Sequence, residues 1–196
     1  MSLAYKRATF TNPEVEAAFM DMGMKNEQQY RPILEKYFNA PLKRFNTDFS
    51  VIDFYSYRFR VELKSRTNRV NDYDTTYIGN NKVIKAFEKL REKRKTNPDY
   101  KVWFAFAFPD GLYLWEVNEE NYEKNGGDNA IEYKGTDRRG FDDYKDHLLI
   151  KVENLIKIDD TPCYINPKVL EVKNTPVKKK KSSIPDGVCF LTLMKK

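Results

Sequence analysis

The chain has 196 residues, enough to bury one sizeable core and short for two. With 40% hydrophobic and 33% charged residues it reads as a soluble protein. Its strongest apolar run, residues 102–108, is strand-sized and far below bilayer-spanning length. The opening MSLAYKRATF lacks an apolar core of the secretory type, so a cytoplasmic or intracellular setting without membrane partners is expected.

The formal charge is +6, and its distribution is more informative. Residues 55–101 carry 13 Lys/Arg against 6 Asp/Glu, whereas residues 102–160 carry 7 against 14. A basic half of this kind suits a polyanionic partner, and four consecutive lysines at 178–181 add a second patch. The only cysteines are Cys163 and Cys189 and the only histidine is His147, which excludes a disulfide framework and a Cys/His zinc site. Any bound metal must be oxygen-ligated, which favours Mg²⁺ or Mn²⁺.

In chain order, Asn12 and Pro13 suit a helix start, with Glu14 and Glu16 at its positive end and Gly23 interrupting it. Residues 24–38 form a second helical pattern through Tyr30, Ile33, Leu34, Tyr37 and Phe38, in which Pro32 marks a kink or a new start. Residues 48–54 and 58–63 read as an antiparallel hairpin, and residues 68–81 as a loop. A basic helix is expected over 83–95, then strands 101–108 and 112–117 around the turn Pro109-Asp110-Gly111. Residues 119–140 read as an exposed excursion, residues 142–155 fit either strand or helix, and residues 188–193 suit a last strand. The pattern is α/β, a central mixed sheet flanked by helices. Residues 1–160 are expected to form one domain with peripheral additions, with 161–196 an extension packed partly on it.

Strand alternation puts Glu62 and Lys64 on one face, beside a polar loop open to a ligand. A hairpin centred near residues 55–57 makes opposed numbers sum to about 112. Asp48 then faces Lys64 and lies roughly 6–8 Å diagonally from Glu62. In the same register Asp53 falls beside the turn, opposite Phe59. Asp48 and Glu62 are therefore the expected metal ligands, with Lys64 positioning or activating water, or stabilising developing charge. Arg66, Arg69, Lys82, Lys85 and Lys89 are expected phosphate contacts, and Lys82 is also placed near the metal centre. Tyr73 and Tyr77 are read as stacking or packing residues, and His147 as structural or exposed.

The stretch TDFSVIDFYSYRFRVELKSR, residues 47–66, resembles the PD-(D/E)xK, or restriction-endonuclease-like, nuclease superfamily. Thr47-Asp48 stands where that family has Pro-Asp, and Glu62-Leu63-Lys64 matches the second half, followed by Ser65-Arg66. The resemblance covers residues 23–117 and implies a restriction-endonuclease-like core and a Mg²⁺- or Mn²⁺-dependent deoxyribonuclease, resembling an endonuclease of phage or mobile-element type. It also implies a supporting acid in the first helix, with Glu27 preferred to Glu35, and a homodimer would let two sites cut both strands. The alternatives are an inactive nucleic-acid-binding protein on the same fold, or a structural or protein-interaction factor.

Overall fold

A computed structural model of the chain describes residues 13–44, 53–135 and 144–174. Asp48, the lysines at 178–181, Cys189 and the strand expected at 188–193 lie outside the described residues.

The first helix, α1 (Pro13–Phe38), runs unbroken for 26 residues through both Gly23 and Pro32, so neither the interruption nor the new start occurs. Ala18, Met22, Asn26, Tyr30 and Leu34 are its buried positions, a strict four-residue step that continues across both breakers. Glycine in a helix costs about 1 kcal/mol relative to alanine. Pro32 is exposed, so the backbone group it leaves unbonded faces water. Burial along the stripe outweighs both costs.

After it come β1 (Lys43–Arg44), β2 (Phe54–Tyr55), β3 (Phe59–Ser65), β4 (Thr75–Gly79) and the helix α2 (Asn80–Arg94). The chain continues with β5 (Lys101–Phe108), β6 (Gly111–Glu116), α3 (Glu119–Lys124), β7 (Ile131–Gly135), β8 (Tyr144–Lys151), β9 (Ile156–Asp159) and α4 (Pro167–Asn174). Six strands form a central mixed sheet in the order β1-β2-β3-β5-β6-β9, parallel only between β3 and β5. A parallel pair needs a crossover, and α2 lies within it. The segment expected to be a loop over 68–81 contains β4, and the excursion over 119–140 contains β7. With β8 they build a second sheet, β4-β8-β7, which resolves 144–151 as strand.

Both faces of the central sheet are covered. Strand β5 is buried from Val102 to Phe108, as a central strand requires. Val102, Phe104, Phe106 and Phe108 pack with Val83 and Leu90 of α2 and with Leu148 and Ile150 of β8. Trp103, Ala105 and Ala107 pack on the opposite side with Tyr30 and Leu34 of α1. At the β5–β6 turn Gly111 has φ 139°, and a Cβ there would stand 2.4 Å from the Asp159 carbonyl oxygen. Only glycine fits that approach.

Residues 161–166 run as a strap against α1 and the sheet. Tyr30 donates its hydroxyl to the Thr161 carbonyl at 2.7 Å, Gln29 donates to the Pro162 carbonyl at 2.7 Å, and the Cys163 amide bonds the Phe108 carbonyl at 3.1 Å. Beyond the strap, Val169 of α4 packs on Ala18 and Met22.

Candidate metal and nucleic-acid site

The β2–β3 hairpin does not adopt the expected register. Phe54 pairs with Val61 and Tyr55 with Arg60, so opposed numbers sum to 115. The cause is local. The Ser56 amide bonds the Phe59 carbonyl at 2.9 Å, while its hydroxyl accepts the Arg58 and Phe59 amides at 3.1 and 3.2 Å. That serine turn moves the pivot to Tyr57–Arg58. The ladder extends one residue further through the Asp53 amide, which bonds the Val61 carbonyl at 3.2 Å. Asp53 therefore stands opposite Glu62, not beside the turn opposite Phe59.

Four elements bring the site together where β3 ends. Glu62 and Lys64 come from β3, as their spacing predicts. Asp53 comes from the residue before β2, Glu27 from α1 and Lys82 from the first turn of α2. Glu27, Asp53 and Lys64 line a cavity of ≈ 190 Å³ with Phe19, Met22, Gly23, Leu63 and Ser65. Glu62 is 1% exposed. Its Oε1 accepts the Lys64 ammonium at 2.5 Å and the Lys82 ammonium as well. Its Oε2 is buried without a hydrogen-bond partner. A buried carboxylate oxygen left bare is costly.

The other carboxyls show the same crowding of negative charge. Burial, followed by the Glu62 carboxylate, pushes Asp53 up to about 7, although its Oδ2 accepts the Leu63 amide at 2.7 Å. Burial also raises Glu27, against the opposing effect of Arg44, whose Nε lies 2.8 Å from Glu27 Oε2. For Lys64, burial acts most strongly and against the charge, but the attraction of Glu62 and Asp53 more than offsets it and holds the ammonium above the usual lysine value. Lys82 moves the other way, drawn down first by burial and then by Lys64.

Among the described residues no three His, Cys, Asp or Glu side chains are already arranged as a metal cage. The donor chemistry nevertheless fits a hard divalent cation. Glu62 Oε2 is unpartnered, and Asp53 and Glu27 open onto the adjoining cavity. These are the all-oxygen ligands that Mg²⁺ and Mn²⁺ take with water.

The remaining expected residues separate clearly. Glu35 accepts the Leu42 amide at 2.8 Å and pairs with Arg31 at 3.1 Å, so it ties the end of α1 and belongs to no site. Arg66 is 6% exposed and is not placed to meet a phosphate. Its Nε donates to Thr76 Oγ1 at 2.9 Å, a terminal nitrogen donates to the Tyr77 carbonyl, and the guanidinium lies 4.7 Å over the Tyr77 ring and 5.3 Å over Phe106. It pins β4 to the end of β3. Lys85 and Arg69 are exposed, and Lys89 is ion-paired with Glu92. Tyr73 is exposed, while Tyr77 packs edge-on against His147, which is 5% exposed.

Asn26, which the sequence did not single out, is fully buried beside Glu27. It donates to Ser65 Oγ at 2.9 Å and the Tyr164 carbonyl at 2.8 Å, and accepts the Tyr164 amide at 2.7 Å. This locks α1 to the end of β3 and so sets the height of Glu27. An asparagine on an otherwise apolar four-residue stripe is the signal that points to it.

No family model matches the chain and no curated protein is similar to it, so the reading of the site rests on its residues and their geometry.

Proposed function

We propose that the protein is a Mg²⁺- or Mn²⁺-dependent nuclease that hydrolyses phosphodiester bonds, with DNA as the expected substrate. The observation that carries this reading is the convergence of Asp53, Glu62, Lys64 and Glu27 at one end of the sheet around a buried, unpartnered carboxylate oxygen. The order hairpin, α2, then parallel β5 after a long first helix also agrees with a restriction-endonuclease-like core.

In this reading Asp53 and Glu62 would hold the cation, with Glu27 supporting it. Asp53 takes the ligand role expected of Asp48, which lies outside the described residues. The bound ion would supply Lewis-acid polarisation of a phosphoryl oxygen and a water of lowered pKa. Lys64, anchored on Glu62, presents a fixed positive charge to the attacking water and to the phosphoryl oxygen that gains charge. Water oxygen bonds to phosphorus as the ester P–O bond breaks. The leaving oxygen keeps the electron pair and takes a proton, giving a phosphate monoester and a hydroxyl. The exposed Lys85 and Arg69 hold backbone phosphates without reading bases.

The test is cleavage of linear, circular, branched and single-stranded DNA with Mg²⁺ or Mn²⁺. Asp53→Asn, Glu62→Gln and Lys64→Met should each lose about 100-fold or more in rate, whereas Asp48→Asn should retain turnover. Unchanged cleavage in the first three variants overturns the proposal. A second reading, a nucleic-acid-binding protein without turnover, is favoured by the two ammoniums that already neutralise Glu62 Oε1. DNA affinity with neither metal binding nor cleavage would establish it instead.

A further inference from the structure

The edge strand β1 carries an arginine that the sequence pattern did not single out. Arg44 pairs in register with Phe54 of β2, and Phe54 is buried in the cluster that α1 covers with Tyr30 and Leu34. Residues opposite one another in a ladder project from the same face, so Arg44 points toward α1. There its Nε lies 2.8 Å from Glu27 Oε2, with the Arg44 side chain 50% exposed and that of Glu27 19% exposed. Glu27 therefore lines the cavity beside Asp53 and Lys64 and also anchors a guanidinium that stands closer to solvent. That guanidinium has no other partner among the described residues.

We propose that Arg44 grips the backbone phosphate next to the scissile one, and so fixes which bond lies over the carboxylates. The proposal rests on the nuclease reading of the site. A guanidinium presents its N–H donors in one rigid plane, and Glu27 engages only the Nε edge of it. The terminal amino groups remain, a flat fork that meets two oxygens of one phosphate at once. An arginine already held at Nε loses less freedom on binding, so the anchor makes it a prepared anion receptor. Position decides which phosphate it meets. The scissile group has to reach the cavity wall that Asp53 and Lys64 form, and Arg44 stands one carboxylate away from that wall. That offset suits the neighbouring phosphate of the same strand. Lys43, exposed beside Arg44 on β1, leaves this edge net positive even with Glu27 charged. The backbone thus leaves the cavity over the β1 edge of the central sheet.

The experiment measures the affinity of the full chain for a labelled DNA oligonucleotide in EDTA across a salt series, then its cleavage with Mg²⁺ or Mn²⁺. Arg44→Met should bind about tenfold more weakly and lower the slope of log K against log salt by about 1. Its KM should rise while kcat changes little. Arg44→Lys keeps the charge without the fork, so it should restore the salt slope and only part of the affinity. Lys101→Met removes an equal charge from a half-exposed residue paired with Glu116, at the start of β5 and so at the far end of the β3–β5 pair, and should behave as wild type. Thermal melts establish that each variant is folded. A scan that replaces one phosphate at a time by a neutral methylphosphonate should find one position, next to the cut bond, that slows wild type and not Arg44→Met. If wild type cleaves and Arg44→Met keeps its affinity and salt slope, whether or not kcat falls, the proposal is overturned and the nuclease reading stands. If wild type cleaves DNA with neither metal, the nuclease reading falls and takes the assignment of Arg44 with it.

Discussion

Asp53→Asn should make the metal-free protein more stable at alkaline pH, at the same position where the proposed function expects it to slow cleavage. The Asp53 carboxyl is pushed up from 3.8 to about 7 by burial and by Glu62. Between those values the folded chain keeps a proton that the unfolded chain has released, so stability falls as pH rises from about 4 to about 7 and stays low above it. Three units correspond to about 4 kcal/mol as an upper bound, at about 1.4 kcal/mol each. Water reaching Asp53 through the cavity should reduce this to about 2 kcal/mol. Asparagine can still accept the Leu63 amide and carries no charge at any pH. For a chain of this size the difference amounts to roughly 4–8 °C in Tm. Melts in EDTA from pH 4.5 to 8.5 should therefore show the variant gaining on wild type as pH rises, with a residual slope from Glu27, which is raised in the same direction. Melting curves that stay parallel across the range, or a wild type that gains on the variant above pH 7, would refute the reasoning.

Arg66→Met should cost about 2–3 kcal/mol, because two hydrogen bonds to β4 are lost and the Thr76 hydroxyl and Tyr77 carbonyl lose a donor. Denaturant titration measures that loss. The salt dependence of DNA binding should not change, whereas Lys85→Ala should lower the slope of log K against log salt by about 1. Gly23→Ala should raise stability by about 1 kcal/mol, since a Cβ there meets nothing within 4 Å and the helix is unbroken at that point. The same methyl group intrudes on the cavity and should slow cleavage, so a melt and a rate measurement on one variant should move in opposite senses.

The sheet was legible where periodicity and turn chemistry agreed. Strand β5 and its turn at Pro109-Asp110-Gly111 announce themselves by an apolar run and a tight turn, and both stand as read. Glu62 and Lys64 share a face for the same simple reason. Short strands that pair at long range are different. Thr75–Gly79 is a short run of strand-forming Thr, Tyr and Ile set inside a polar stretch, and its pairing with β8, some seventy residues away, makes it a strand. Helix breakers mislead in the opposite direction: Gly23 and Pro32 each carry a local cost, yet the four-residue stripe on which α1 is buried is a tertiary property. Arg66 shows the corresponding limit for charge. A basic residue beyond an active strand reads as a phosphate contact until its burial against Tyr77 and Phe106 is seen.

The place of Asp53 turned on register, and register turned on one side chain. A hairpin pivot midway through Tyr55-Ser56-Tyr57 is natural when the connection is treated as featureless. Ser56 is not featureless. Its hydroxyl accepts two amides from the following residues and draws the pivot one and a half positions toward the C-terminus. In an antiparallel ladder that displacement is doubled across the pair, which changes the sum of opposed numbers from 112 to 115 and sets Asp53 opposite Glu62. A three-residue change also reverses the face presented by every residue of one strand relative to the other. Candidates read from a hairpin therefore depend on its turn, and hydroxyl and amide side chains in the connection decide which residues face each other before any carboxylate is considered.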